Sequence, residues 1–180
     1  MIRSFSVAVL TVSDRCSRGE CPDTSGPALA EIAERELAAR VVARACVQDD
    51  VDVIRQQLQA WCSGVPPIDL VLTTGGTGLA PRDVTPEATL PLLERRHAGL
   101  LELMRLRCYP QNPRAFLSRG EAGTMGRTLV INLPGSRGGS TECLRALLDV
   151  LPHALETLRG EAQHEDERGS QSSRAGAQKT

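Results

Sequence analysis

The residue types best suited to chemistry are concentrated in one stretch, Thr73-Thr74-Gly75-Gly76-Thr77-Gly78-Leu79-Ala80-Pro81-Arg82-Asp83. Three glycines in four residues let a backbone approach a ligand closely and turn its N–H groups toward an anion. Arg82 adds a cation suited to phosphate, and Asp83 a carboxylate suited to a metal. Together they fit a nucleotide phosphate chain. On the glycines alone, a tight turn between strand and helix accounts for the stretch equally well. The loop is not a Walker A motif, which needs a lysine. Nor is it a full dinucleotide fingerprint, because Pro81 stands where the third glycine belongs.

A second carboxylate pair, Asp49-Asp50, sits between a strand pattern and a helix pattern. From spacing alone, helix N-capping explains it best, since Asp caps well. The functional alternative is that Asp49 and Asp83, on neighbouring strand ends, share a divalent cation. Magnesium takes few carboxylates and keeps water and substrate oxygens in its other positions. Pro134-Gly135-Ser136-Arg137-Gly138-Gly139 precedes a helix and offers another anion-friendly terminus, or an ordinary connecting turn. Ser13-Asp14-Arg15 can hydrogen-bond a polar ligand or simply form a turn.

Composition removes several competing chemistries. The 180 residues hold 21 Lys+Arg against 22 Asp+Glu, and Lys179 is the only lysine. P-loop NTPases, protein kinases, Schiff-base enzymes and ligases that adenylate their own lysine each need a placed lysine. A formal net charge of −1 and 2% aromatic residues argue against a nucleic-acid surface built on bulk charge or base stacking. There is no Gly-x-Ser-x-Gly elbow. The six cysteines form no C-x-x-C pair, and His97, His153 and His164 have no ligand-like spacing to them, so reduced thiols are expected rather than disulfides or zinc. With no long apolar run and no leader-like start, a cytoplasmic protein without a membrane span is expected.

The elements that must position these loops alternate in period. Strands are expected at Phe5 to Val12, Val41 to Val47, Leu70 to Thr73 and Thr128 to Leu133. Helices are expected at Pro27 to Ala39, from Val51 to Trp61, and from Thr85 to about Arg107 with a break at Gly99. In the third of these Thr85 is the expected cap and Pro86 the first helical residue. A last helix runs from Ser140 to Leu158 with a kink at Pro152. Such alternation means an α/β fold around a mostly parallel sheet, with ligands at the carboxyl ends of its strands. The three segments Ser13 to Pro27, Thr74 to Asp83 and Pro134 to Gly139 should converge there. Residues 1–160 are read as one domain and 161–180 as a disordered polar tail.

The same segments carry a family resemblance. Val7-Ala8-Val9-Leu10-Thr11-Val12-Ser13-Asp14-Arg15, Asp23-Thr24-Ser25-Gly26-Pro27, the run from Asp69 to Thr89, Leu117-Ser118-Arg119 and Thr128 to Ser136 occur in order. This resembles the molybdopterin adenylyltransferases, especially the gephyrin-type branch. The resemblance implies a three-layer α/β/α domain, a homotrimer, and transfer of AMP from ATP to the terminal phosphate of molybdopterin with Mg²⁺. It also implies roles: Asp49 and Asp83 as the essential, metal-holding aspartates, with Thr74, Gly75, Gly76, Thr77, Gly78 and Arg82 on the nucleotide. Ser13, Asp14, Ser118, Arg119, Pro134, Gly135 and Ser136 match segments on the pterin and phosphate side. A molybdenum-insertase domain is fused to this domain in the gephyrin branch, so a partner of that kind is expected. Gln48 departs from the proline usual before Asp49. A molybdopterin-binding or trimeric scaffold module without catalysis is the alternative, and the retained Asp49, Asp83 and glycine loop favour the enzyme.

Overall fold

The computed structural model describes residues 4–161; the expected tail, from residue 162 on, lies outside the described residues. Six strands form one sheet: β1 (Ser6–Val12), β2 (Arg40–Val47), β3 (Leu70–Thr74), β4 (Arg95–Arg96), β5 (Ala122–Met125) and β6 (Thr128–Leu133), in the order β2-β1-β3-β6-β5-β4. The first four in that order are parallel; at one edge β5 pairs antiparallel with β6, and β4 antiparallel with β5. Register is direct: Val7 lies beside Leu70, and Leu70 beside Leu129.

Apolar runs such as Val7 to Leu10 make strands buried on both faces, as parallel sheets require. Val7, Val9, Leu70, Leu72, Leu129 and Ile131 pack under α2 (Ser25–Arg35), α5 (Ala98–Cys108), α6 (Arg137–Arg145) and α7 (Leu151–Arg159). Ala8, Leu10, Val12, Val71 and Val130 face the other way, under α3 (Val51–Cys62) and α4 (Thr85–Thr89). The result is three layers, as expected. A short helix, α1 (Asp14–Ser17), follows β1.

The chain leaves β1 for β2 on one side and then returns across β1 to β3 on the other. Right-handed crossovers in opposite directions put α2 and α3 on opposite faces. The carboxyl ends of β1 and β3 therefore open as a crevice at the point where strand order reverses, the place where such sheets bind ligands.

Three expectations need correction. Thr85 does not cap α4: Val84 holds that position, and the Thr85 hydroxyl instead donates to the Gly75 carbonyl at 2.8 Å. The helical run after Thr85 breaks at 93–97, not at Gly99, because Arg95–Arg96 pair with Gly123 and Thr124 of β5. Pro152 does not kink one helix; it sits in the first turn of a separate one, α7, where its missing N–H is not needed.

Candidate active site

The glycine loop leaves β3 under close backbone constraint. Gly75 and Gly76 both have positive φ, +106° and +62°. A side chain on Gly75 would collide with the Val12 carbonyl, and one on Gly76 with the Thr85 hydroxyl. Glycine is therefore required here for conformation and for space.

The carbonyls of Gly75 to Gly78 are all held by the protein. Gly75 O accepts from Thr85 Oγ1 at 2.8 Å and Gly76 O from Thr85 N at 2.9 Å. Thr77 O accepts from Arg119 N at 2.8 Å, and Gly78 O from Arg119 Nε at 2.7 Å. In a trans peptide the N–H points opposite to the carbonyl, so the next amide in each case turns away from its anchor. The N–H groups of Gly76, Thr77, Gly78 and Leu79 accordingly find no acceptor among the described residues. Successive unsatisfied amides of this kind form an anion-binding concavity.

The carboxylates converge beside the loop. Asp49 and Asp14 clasp each other across the ends of β2 and β1: Asp14 N donates to Asp49 Oδ2 at 2.8 Å, and Asp49 N to Asp14 Oδ1 at 3.1 Å. Asp50, not Asp49, caps α3 through bonds from Asp52 N and Val53 N, which leaves Asp49 free of that duty. Asp83 Oδ2 accepts from Ala80 N at 2.9 Å. Among the described residues, the second oxygens of Asp49 and Asp83 accept no hydrogen bond. Burial raises the Asp49 pKa, and the charges of Asp14 and Asp83 push it the same way. The Asp14 carboxyl is held low by the Asp49 amide and then by Arg82. Arg82 pairs with Asp14 at 2.5 Å but leaves 68% of its side chain exposed, so an incoming phosphate could compete for it.

The glycine loop and Asp83 border a cavity of about 590 Å³. Gly76, Thr77, Gly78 and Asp83 form one wall, Ser118 another, and Pro134, Gly135 and Ser136 a third. Ser118 Oγ donates to Thr77 Oγ1 at 3.2 Å, tying the first two walls together. Ser136 caps α6 by accepting from Gly139 N. Gly135 stacks on Gly75, where a Cβ would stand 3.1 Å from the Gly75 Cα. Asp49, Asp14 and Arg82 flank the glycine loop rather than line this cavity.

Other expected site residues support it from beneath. Thr74 is buried and donates to Pro134 O at 2.7 Å. Ser13 caps α1. Arg119 does not line the cavity; its guanidinium is committed to the glycine loop and Glu87. Sequence reasoning missed the far wall, contributed by Asn112, Arg114, Cys108 and Glu142. The only signal for it is Asn112-Pro113, a helix-start pair whose Asn caps the turn Pro113–Leu117. A larger hollow, about 800 Å³, opens at the opposite end of the sheet. Volume does not select the site: that hollow lies at the amino ends of the strands, and its one aspartate, Asp69, is already paired with Arg159 at 2.8 Å.

Comparison with known proteins decides the family. The family model described as "Probable molybdopterin binding domain" matches residues 8–153. The chain belongs to this family. As a member of it, it is 36% identical over 174 residues to the molybdopterin adenylyltransferase of Helicobacter pylori strain J99, covering 96% of this chain and 98% of that protein. It is 41% identical over 157 residues to the molybdenum cofactor synthesis protein cinnamon of Drosophila melanogaster, covering 87% of this chain but only 26% of that longer protein. Among solved structures, the molybdopterin biosynthesis enzyme MoaB of Thermus thermophilus superposes with a TM-score of 0.81 at 50% identity, over 87% of this chain and 97% of that one. The described residues contain no helix long and apolar enough to cross a membrane.

Proposed function

We propose that this chain transfers AMP from ATP to the terminal phosphate of molybdopterin, releasing pyrophosphate. The observation that carries this reading is the row of four unsatisfied amides, Gly76 to Leu79, beside the free carboxylate oxygens of Asp49 and Asp83 at the sheet's switch point. Phosphoryl and nucleotidyl transfer ask a protein mainly for positioning and charge neutralisation. The amides supply fixed positive ends for phosphate oxygens, and Arg82 adds an exposed cation. The pterin's own phosphate is the attacking group, so no side chain has to be activated as a nucleophile. The relatives' names and the full-length match to the Helicobacter protein support the substrate assignment.

The donor set also fits Mg²⁺. Asp49 and Asp83 are the residues that would hold it, each with one oxygen already anchored and the other open. Two hard carboxylates with room for water and phosphate oxygens are what this ion prefers. Its contribution would be to offset charge on the phosphates. We further read the molecule as a homotrimer working in the cytoplasm alongside a molybdenum-insertase domain or protein, with all six cysteines as free thiols in keeping with that compartment.

The test is purified protein with molybdopterin, ATP and Mg²⁺, followed for adenylylated molybdopterin, with Asp83→Ala as control. Product from the wild type and none from the variant is the expected result. Tight molybdopterin binding with no product from the wild type would replace this reading with a binding module.

A further inference from the structure

One charged side chain beside the cavity takes no part in lining it. By resemblance Arg119 falls in a segment on the pterin side, yet its guanidinium lies outside the cavity wall. Each of its nitrogens has a protein partner instead. Nε donates to Gly78 O at 2.7 Å, Nη2 to Asp83 O at 2.6 Å, and Nη1 to the Glu87 carboxylate in the first turn of α4. Its backbone N–H adds the bond to Thr77 O at 2.8 Å. One residue thus gathers the start of the glycine loop, its end, and the helix that follows.

We propose that Arg119 is a positioning residue for the nucleotide half of the site: it clamps the loop from Thr77 to Asp83 and does not contact the pterin. The clamp works through peptide geometry. Holding the Thr77 and Gly78 carbonyls on one side aims the N–H groups of Gly78 and Leu79 to the other. Holding the Asp83 carbonyl fixes the backbone from which the Asp83 carboxylate projects. Thr85 performs the matching task for Gly75 and Gly76, so the four open amides are set by two anchors. Only a planar fork reaches these acceptors together. Lysine keeps the charge but offers a single point, so Arg119→Lys is not a conservative change here. Glu87 in turn orients the guanidinium, and its own carboxyl is held low by the Arg119 hydrogen bond and, more weakly, by its charge.

The functional side of this inference rests on the adenylyl-transfer reading; the clamp itself does not, and two measurements separate them. The first is backbone ¹⁵N relaxation of residues 77–83 in the wild type and in Arg119→Ala. Order parameters near about 0.85 in the wild type should fall below about 0.6 in the variant. Unchanged values would overturn the clamp whatever the reaction proves to be. The second is steady-state kinetics of the wild type, Arg119→Lys and Arg119→Ala, with separate molybdopterin binding. Both variants should raise the ATP KM about tenfold and lower kcat on the order of a hundredfold, with molybdopterin Kd within about twofold of wild type. Weakened molybdopterin binding with ATP parameters unchanged would make Arg119 a pterin ligand and overturn the proposal. A merely structural role would lower Tm without this split. Should Arg119→Ala fail to fold, Glu87→Gln keeps the arginine and loosens it. That variant should raise the ATP KM about threefold with molybdopterin Kd unchanged, and the reverse pattern overturns the proposal. A wild type that makes no product counts against the reaction, and the relaxation result then stands alone for the clamp.

Discussion

The two ends of the sheet both hold half-buried aspartates, and they treat them in opposite ways. At the amino end, Asp69 accepts from Ser6 N and Ser6 Oγ, both at 2.7 Å, and from Arg159 Nε and Nη2, both at 2.8 Å. Burial alone would raise its pKa, but these bonds outweigh it and hold the carboxyl at about 2. Arg159 also lies over the Phe5 ring, 4.7 Å from its centroid. At the carboxyl end, Asp49 and Asp83 each keep an open oxygen, and the Asp49 pKa is raised. A charge matched by a fitted countercharge fixes structure. A charge left with an open coordination direction is ready for a ligand.

The sharpest way to break this contrast is to remove an acid from each end. Asp49→Ala or Asp83→Ala should lower kcat by about a thousandfold or more, roughly 4 kcal/mol of barrier, while unfolding free energy stays within about 1 kcal/mol of wild type. Denaturant titration beside the product assay checks both halves. Asp69→Ala should do the reverse. It takes away the carboxylate that Arg159, 12% exposed, pairs with at 2.8 Å, and should destabilise the fold by about 3 kcal/mol. Activity of the folded fraction should be unchanged, and a large kcat loss there would merge the two classes.

Acid should separate the ends with opposite signs. Asp69 has a depressed folded pKa, so its contribution is full above the ordinary value of 3.8 and is lost as pH falls toward about 2. That window is worth on the order of 2 kcal/mol by proton linkage, and Asp69→Asn should flatten it. Asp49 has a raised folded pKa, so its ionised form opposes folding, and its contribution becomes more favourable as pH falls through that value. Unfolding midpoints measured across about pH 2–6, each compared with the corresponding Asn variant, resolve the two slopes. The smallest effect expected is ligand-linked: Mg²⁺ with ATP at about ten times Kd should stabilise the wild type by about 1.4 kcal/mol and Asp83→Ala much less. An equal thermal shift in both would remove Asp83 from the nucleotide site.

Much of this arrangement can be read along the chain. Central strands announce themselves as apolar runs, and the glycine loop and Asp83 sit within a few residues of each other. The edge strands cannot be read that way. Arg95–Arg96 has only two residues, and Ala122–Met125 carries no alternating pattern, so their pairing depends on what they meet in space. Asp49 and Asp50 are indistinguishable by type; only the turn geometry assigns the cap to Asp50. Thr85 has the residue type of a cap, and a tertiary acceptor, the Gly75 carbonyl, takes its hydroxyl instead. Arg119 is visible as a functional residue by resemblance, but its partners lie 32 to 42 positions away, so its task emerges only on folding. The far wall around Asn112 and Glu142 is gathered from three separate elements, and apart from Asn112-Pro113 nothing in their spacing marks it.

The position of β6 has a consequence for how the molecule comes into being. It is the last strand among the described residues, yet it lies between β3 and β5, bonded to both. During synthesis, β2, β1 and β3 can pair as soon as they emerge, but β5 and β4 have no link to them until Thr128–Leu133 inserts. The same event delivers Pro134 and Gly135 to Thr74 and Gly75, the contacts that close the cavity. Ligand affinity should therefore arise in one late step with no partial form. In pulse-labelled refolding, β6 amides should gain protection after those of β1 and at the moment nucleotide binding first becomes measurable.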